Sequence, residues 1–198
     1  MKKGILMPVL AIVIAAAVLF GLSFGLNGIA AARAQEEHLN LMKMLSPGSE
    51  NFTLEPYDGE DANIRSVHKG EKGFVIETVT YGYAGEITMF IGVTNEGKVS
   101  GLVVRDLQET YGLGREALTN VDFLKQFLNQ GGSFTVATSG ADAFSGATAT
   151  TESAEDSVEV DALTGATVTS KAIVRCVNSA VAYVTGADAA TEATSWGG

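Results

Sequence analysis

A chain of 198 residues with net charge −10 and one cysteine has room for a domain of about 150 residues plus an appendage, and a domain that size folds without disulfide staples. Lys2, Lys3 and Arg33 are the only charged side chains up to residue 34, so all 23 acidic residues, against ten of the 13 basic ones, fall in the rest. Such a body is repelled by nucleic acid and by anionic headgroups, which excludes nucleic-acid binding. Cys176 has no partner for an internal disulfide and falls in an apolar helical run, where a small buried hydrophobe is expected. His38 and His68 stand far apart with no carboxylate or thiol cluster around either, so no metal site is legible. Gly-x-Gly-x-x-Gly after a strand, a Walker lysine and Cys-x-x-Cys are all absent, which removes nicotinamide, triphosphate and iron–sulfur sites from the reading.

Gly4 to Ala32 is uncharged, and its apolar density is concentrated in Ile5–Phe20. About 20 helical residues cross a bilayer core, so this run is long enough to span, with Gly21–Ala32 spare for tilt or interface. Lys2 and Lys3 place the N-terminus in the cytoplasm and the body on the extracytoplasmic side. The competing reading is a cleaved signal peptide ending at the small-x-small triplet Ala32-Arg33-Ala34, which leaves the body on the same side. The organisation expected is a cytoplasmic N-terminus and transmembrane helix (1–34), a juxtamembrane helix and linker (35–50), a domain (51–185) and a frayed small-residue tail (186–198).

Glu36–Leu45 has the spacing of a short amphipathic helix, with Leu39, Met42 and Leu45 on one side, stopped by Ser46-Pro47-Gly48. Residues 51–69 are polar and irregular in pattern. Gly73–Tyr81 alternates and is rich in β-branched residues, as a half-buried strand requires. A glycine-punctuated turn, Tyr81-Gly-Tyr-Ala-Gly85, leads to the strand Glu86–Thr94. Asn95-Glu-Gly97 then connects tightly into Lys98–Arg105, so these two strands are expected to pair as an antiparallel hairpin.

Leu107-Gln-Glu-Thr-Tyr-Gly-Leu-Gly114 is a glycine loop that leads into an expected helix, Val121–Leu128, with Phe123, Phe127 and Leu128 as core. Gly131–Val160 reads as a low-complexity tract of small and acidic residues, an exposed excursion that buries little. Then comes Asp161-Ala-Leu-Thr-Gly-Ala-Thr167, followed by Val168-Thr-Ser170 and a run in which Ile173, Val177, Ala180 and Val184 recur at helical spacing. Thr169 or Ser170 is expected to cap that helix, whose unpaired amides and dipole favour a phosphate. Taken alone, Thr164-Gly165-Ala166-Thr167 reads as a polar turn and cap.

Asp161-x-x-Thr164-Gly165-Ala166-Thr167 resembles the Asp-x-x-(Ser/Thr)-Gly-Ala-Thr signature of the FMN-binding domain family. In that family a flavin transferase attaches FMN through its phosphate to the final threonine. The Gly-Tyr-x-Gly turn with its following hairpin is similar to the family's pattern. Glu109-Thr110-Tyr111-Gly112-Leu113-Gly114 resembles its Glu-Thr-Pro-Gly-Leu-Gly loop, which approaches the flavin ring; Tyr111 stands where proline is usual, which loosens the loop. The resemblance implies an α+β fold, an N-terminal transmembrane helix followed by an extracytoplasmic domain with an antiparallel sheet and packed helices. It implies FMN covalently bound at Thr167, with Thr164, Gly165, Ala166, Val168 and Thr169 around the phosphate and Asp161 read by the transferase. Glu109, Thr110, Gly112, Leu113 and Gly114 are implied at the ring.

By the same resemblance the chain is a membrane-anchored electron-transfer subunit of an Rnf-type complex. Such complexes move electrons between ferredoxin and NAD and couple this to Na+ or H+ translocation. Its partners are then the other subunits and the transferase, and it has no independent catalytic site. A flavin-free anchored binding module and a stand-alone extracellular flavoprotein reductase are the alternatives. Asp142-Ala-Phe-Ser-Gly-Ala-Thr148 is a second copy of the signature, and Thr167 is the expected acceptor because only it leads into a strongly patterned helix.

Overall fold

The computed structural model describes residues 32–83, 85–107, 120–137, 157–163 and 165–187. Two compact units divide between Leu41 and Met42. Helical residues 32–45 form α1, and its last turn, from Met42, belongs to the second unit. The charge-free segment expected to cross a membrane lies outside the described residues apart from Ala32. Among the described residues no helix is long and apolar enough to cross one.

The second unit is built on a five-stranded antiparallel sheet in sequential order: β1 (Thr53–Glu55), β2 (Ile64–Lys69), β3 (Gly73–Tyr81), β4 (Glu86–Thr94) and β5 (Val99–Leu107). The β4–β5 hairpin turns through 95–97 as the Asn-Glu-Gly motif predicts, with Gly97 at φ 78° supplying the left-handed residue. Strand β3 has the bounds its alternation predicts. β1 and β2 correct the reading of 51–69 as irregular. Their polar residues line the edge strand and its neighbour, whose buried apolar residues are Ile64 and Val67 while Leu54 is exposed, too sparse for a legible alternation.

Helix α2 (Val121–Lys125) is shorter than expected and continues as turns through Asn129. Asn120 caps it, its side chain accepting from the amides of Asp122 and Phe123. The tract 131–160 is not wholly an excursion. Its two ends are β6 (Ser133–Ala137) and β7 (Ser157–Asp161), paired in parallel, and they bury Phe134 and Val160. Val136 and Val158 pack half-buried beside them, so two alternating apolar residues per strand hold the pair, which a composition reading overlooks.

Helix α3 (Thr167–Thr185) closes the core. Ile173, Cys176, Val177 and Ala180 pack with Ile76, Ile91 and Val93 of the sheet and with Phe127 and Phe134. The helix ends at Gly186, φ 68°. It starts at Thr167, before the expected caps, so Thr169 and Ser170 are interior residues of its first turn. Asn178 ties β6 to it: the Phe134 amide donates to Asn178 Oδ1 at 2.8 Å, and Asn178 Nδ2 donates to the Phe134 carbonyl at 2.9 Å. A cross-strand glycine pair, Gly92 and Gly101, seats Leu45. A Cβ on Gly92 would stand 2.0 Å from the Leu45 carbonyl oxygen.

Candidate functional site

The turn between β7 and α3 is shaped by hydrogen bonds that the signature's small residues allow. Gly165, exposed, adopts φ 77°, a left-handed conformation that costs an L side chain about 1–2 kcal/mol. Ala166 is the N-cap, 6% exposed, and its amide donates to the Leu163 carbonyl at 2.9 Å. A longer side chain has no room at a position so enclosed. The Ser170 amide donates to the Ala166 carbonyl at 2.8 Å, and the Ser170 hydroxyl accepts from the Leu163 amide at 3.2 Å. The chain is therefore folded back over the first helical turn, and Thr167 emerges half-buried as the first helical residue.

That helix end has no side-chain cap and no acidic residue in its first turn. Its leading amides thus keep the positive end of the dipole open to an anion. Lys171 and Arg175, both exposed, follow Thr167 at four and eight residues, which puts the three on one stripe. Val168 is 52% exposed. Thr169 turns the other way: it is 1% exposed, and its Oγ1 has no hydrogen-bond partner. Its hydroxyl faces the interior, whereas the motif alone implies a place beside the phosphate. The uncapped helix start suits a phosphate ester on Thr167, because no side chain accepts from its leading amides; the orphaned Thr169 hydroxyl, facing the interior, lies outside that cradle.

Asp161 ends β7 and is exposed. Its backbone is gripped by Gln126, whose Oε1 accepts from the Asp161 amide at 2.9 Å and whose Nε2 donates to the Asp161 carbonyl at 3.5 Å. Its carboxylate has no partner among the described residues, so it is presented to solvent. Thr164, Thr148 and the loop residues Glu109, Thr110, Gly112, Leu113 and Gly114 lie outside the described residues.

Contacts along α3 fix its direction against β3. Tyr183 meets Phe74 with ring centroids 6.0 Å apart, Asn63 Nδ2 donates to Ser179 Oγ at 3.3 Å, and Arg175 Nη1 donates to Thr80 Oγ1 at 3.4 Å. The helix therefore runs antiparallel to β3, and its N-terminus points past Tyr81. At that end the β3–β4 turn closes through Gly82 N–H to the Gly85 carbonyl at 2.9 Å, with Tyr81 and Tyr83 71% and 78% exposed. There also β5 ends, Leu107 opposite Ile87, and the chain departs into 108–114. Topology thus brings the β7–α3 turn, the aromatic turn and the end of β5 to one end of the sheet.

Two hollows open nearby. One of about 390 Å3 lies between the start of α2 and Asp161–Leu163, with Asp122 on its wall. The other, about 460 Å3, lies where β2, β3 and β4 meet α3 and includes Arg65, Thr80, Glu86 and Arg175. Sequence reading missed Gln126, Asn178 and Arg175. The first two act through backbone contacts that no spacing signals; Arg175 was legible only as a member of the Thr167–Lys171–Arg175 row. Cys176 is buried as expected, and desolvation, opposed by a hydrogen bond with Thr78, pushes its thiol up to about 11.

A model of the FMN-binding domain family matches residues 82–182. The chain is 32% identical to a component of the proton-translocating ferredoxin:NAD(+) oxidoreductase complex of Clostridium ljungdahlii, over 61% of this chain and 58% of the relative. It is 31% identical to a component of the Na(+)-translocating ferredoxin:NAD(+) oxidoreductase complex of Acetobacterium woodii, over 55% of this chain and 47% of the relative. A component of the ion-translocating oxidoreductase complex of Methanosarcina acetivorans is 29% identical over 75% of this chain and 76% of its own length. The match thus spans about half the length of the first two.

Proposed function

Because the chain belongs to the FMN-binding domain family, we propose that it is an electron-transfer subunit of an Rnf-type ion-translocating ferredoxin:NAD oxidoreductase complex, with FMN joined to Thr167 through a phosphoester. Three relatives, each a component of an ion-translocating oxidoreductase complex, support this placement. Two of them divide between protons and sodium, so the proposal names no ion. The uncapped start of α3 at Thr167, behind a left-handed Gly165, is the observation that carries the attachment.

The amides of Gly165, Thr167 and Val168 and the helix dipole hold the phosphate, the Ala166 amide being taken by the Leu163 carbonyl, with Lys171 on the same stripe adding positive charge. Asp161, held by Gln126 and open to solvent, is offered to a flavin transferase. Bound there, FMN supplies a carrier that passes electrons singly or in pairs. The protein's part is to keep it from dissociating, position it and set the local charge. The segment before residue 32 anchors the chain with the domain on the extracytoplasmic side, where a dissociable cofactor would be lost. Protease added outside intact cells should therefore remove the acidic body, and a protected body refutes this orientation.

Co-expression with a flavin transferase, in-gel flavin fluorescence and peptide mass spectrometry test the attachment. Thr167→Ala should abolish the fluorescence, and Thr148→Ala should leave it nearly intact. The reverse pattern overturns the assignment, and a dark parent protein sinks the flavoprotein reading in favour of a flavin-free module.

A further inference from the structure

The larger hollow at the end of the sheet has unbalanced charge. Within it Arg65 pairs with Glu86 at 3.7 Å. Arg175 has only the Thr80 hydroxyl, at 3.4 Å, and no carboxylate partner among the described residues. A guanidinium turned into a cleft without a counter-ion is an anion-seeking group. Val79 and Ile64 supply apolar wall beside it, so the cleft suits a flat ligand with one electron-rich edge.

Arg175 is two helical turns, about 12 Å of rise, from Thr167 on the same stripe. A flavin tethered at Thr167 has the ribityl chain with which to follow that stripe down to the cleft. The smaller hollow is lined by Asp122, which Lys125 pairs at 3.6 Å, and by Asp161, which has no cationic partner among the described residues; with no Lys or Arg in its lining it disfavours a ring that gains negative charge.

Resting on the flavin reading above, we propose that this cleft receives the pyrimidine edge of the isoalloxazine, and that Arg175 stabilises the reduced ring. Addition of two electrons and one proton, taken up at N5, leaves the flavin with one negative charge shared between N1 and the C2 oxygen. The electrons come from an external reductant, dithionite in the test below. A guanidinium at that edge favours the reduced form, so Arg175 raises the midpoint potential. Arg65 contributes less because Glu86 already offsets it.

The test is a spectroelectrochemical titration of the full flavinylated chain, comparing the parent with Arg175→Gln and Arg175→Lys. All three should carry the same covalent flavin content, since Arg175 is exposed and away from the attachment turn. Arg175→Gln should make reduction at least about tenfold less favourable, a shift of about 30 mV downward for a two-electron couple. Arg175→Lys should restore most of it, and added salt should lower the parent's potential more than that of Arg175→Gln. A fully flavinylated Arg175→Gln protein with unchanged potential and unchanged salt response refutes the inference while leaving the flavin reading intact. Absence of flavin from the parent refutes both.

Discussion

Asn178→Ala removes the clamp between α3 and β6, and its cost follows from the two bonds lost. The Phe134 amide and carbonyl sit 2.8 Å and 2.9 Å from the Asn178 side chain, beneath a ring that is 2% exposed. Alanine leaves one buried donor and one buried acceptor unpaired, at about 1–3 kcal/mol each, and solvent entering at the edge of β6 recovers part of this. The expected loss is about 2–4 kcal/mol, which lowers the melting temperature of a domain this size by about 4–15 °C. Because β6 carries β7, whose last residue begins the turn into α3, the damage should spread in one direction. Hydrogen exchange should rise across 133–137 and 157–161 and remain unchanged in β3 and β4. A loss under about 0.5 kcal/mol in denaturant titration, with β6 and β7 still protected, refutes the reasoning.

Two further outcomes rest on packing. Gly92→Ala forces a methyl to within 2.0 Å of the Leu45 carbonyl oxygen, a backbone atom that cannot swing aside. It should destabilise by more than about 2 kcal/mol, read as a lower urea midpoint, and a neutral result would mean that Leu45 does not pack on the β4–β5 glycines. Cys176, with its thiol held up near 11 by burial, should resist iodoacetamide at pH 8 until the protein unfolds. Its folded pKa is raised, so the stability it contributes is complete below the ordinary value of 9.0 and is lost as pH climbs through about 11. A rapid native-state reaction, or no loss of stability in that alkaline window relative to Cys176→Ala, contradicts the burial argument.

Local chemistry was enough to determine part of this protein. The Gly73–Tyr81 strand, the β4–β5 hairpin around Asn95-Glu-Gly97 and the buried face of the 171–184 run are all short-range facts. Each depends on side-chain periodicity or on one glycine's permitted dihedrals. The left-handed Gly165 and the enclosed Ala166 of the turn before α3 belong with these, since the Thr-Gly-Ala-Thr stretch marks a turn by residue type alone. Other features depended on partners distant in sequence. β6 and β7 exist because Phe134 and Val160 find a core supplied by α2 and α3, and the chain between them gives no local sign of it. Thr169 and Ser170 read as caps by residue type, yet Ser170 accepts from the Leu163 amide and Thr169 turns inward once the turn folds back, so α3 gains its first residues from tertiary closure. The grip of Gln126 on Asp161 and the facing of Arg175 toward Thr80 join residues 35 and 95 positions apart. Only the tertiary structure could decide them, because a hydrogen bond between segments so far separated leaves no periodicity in the chain, whereas hydrophobic alternation and turn glycines do.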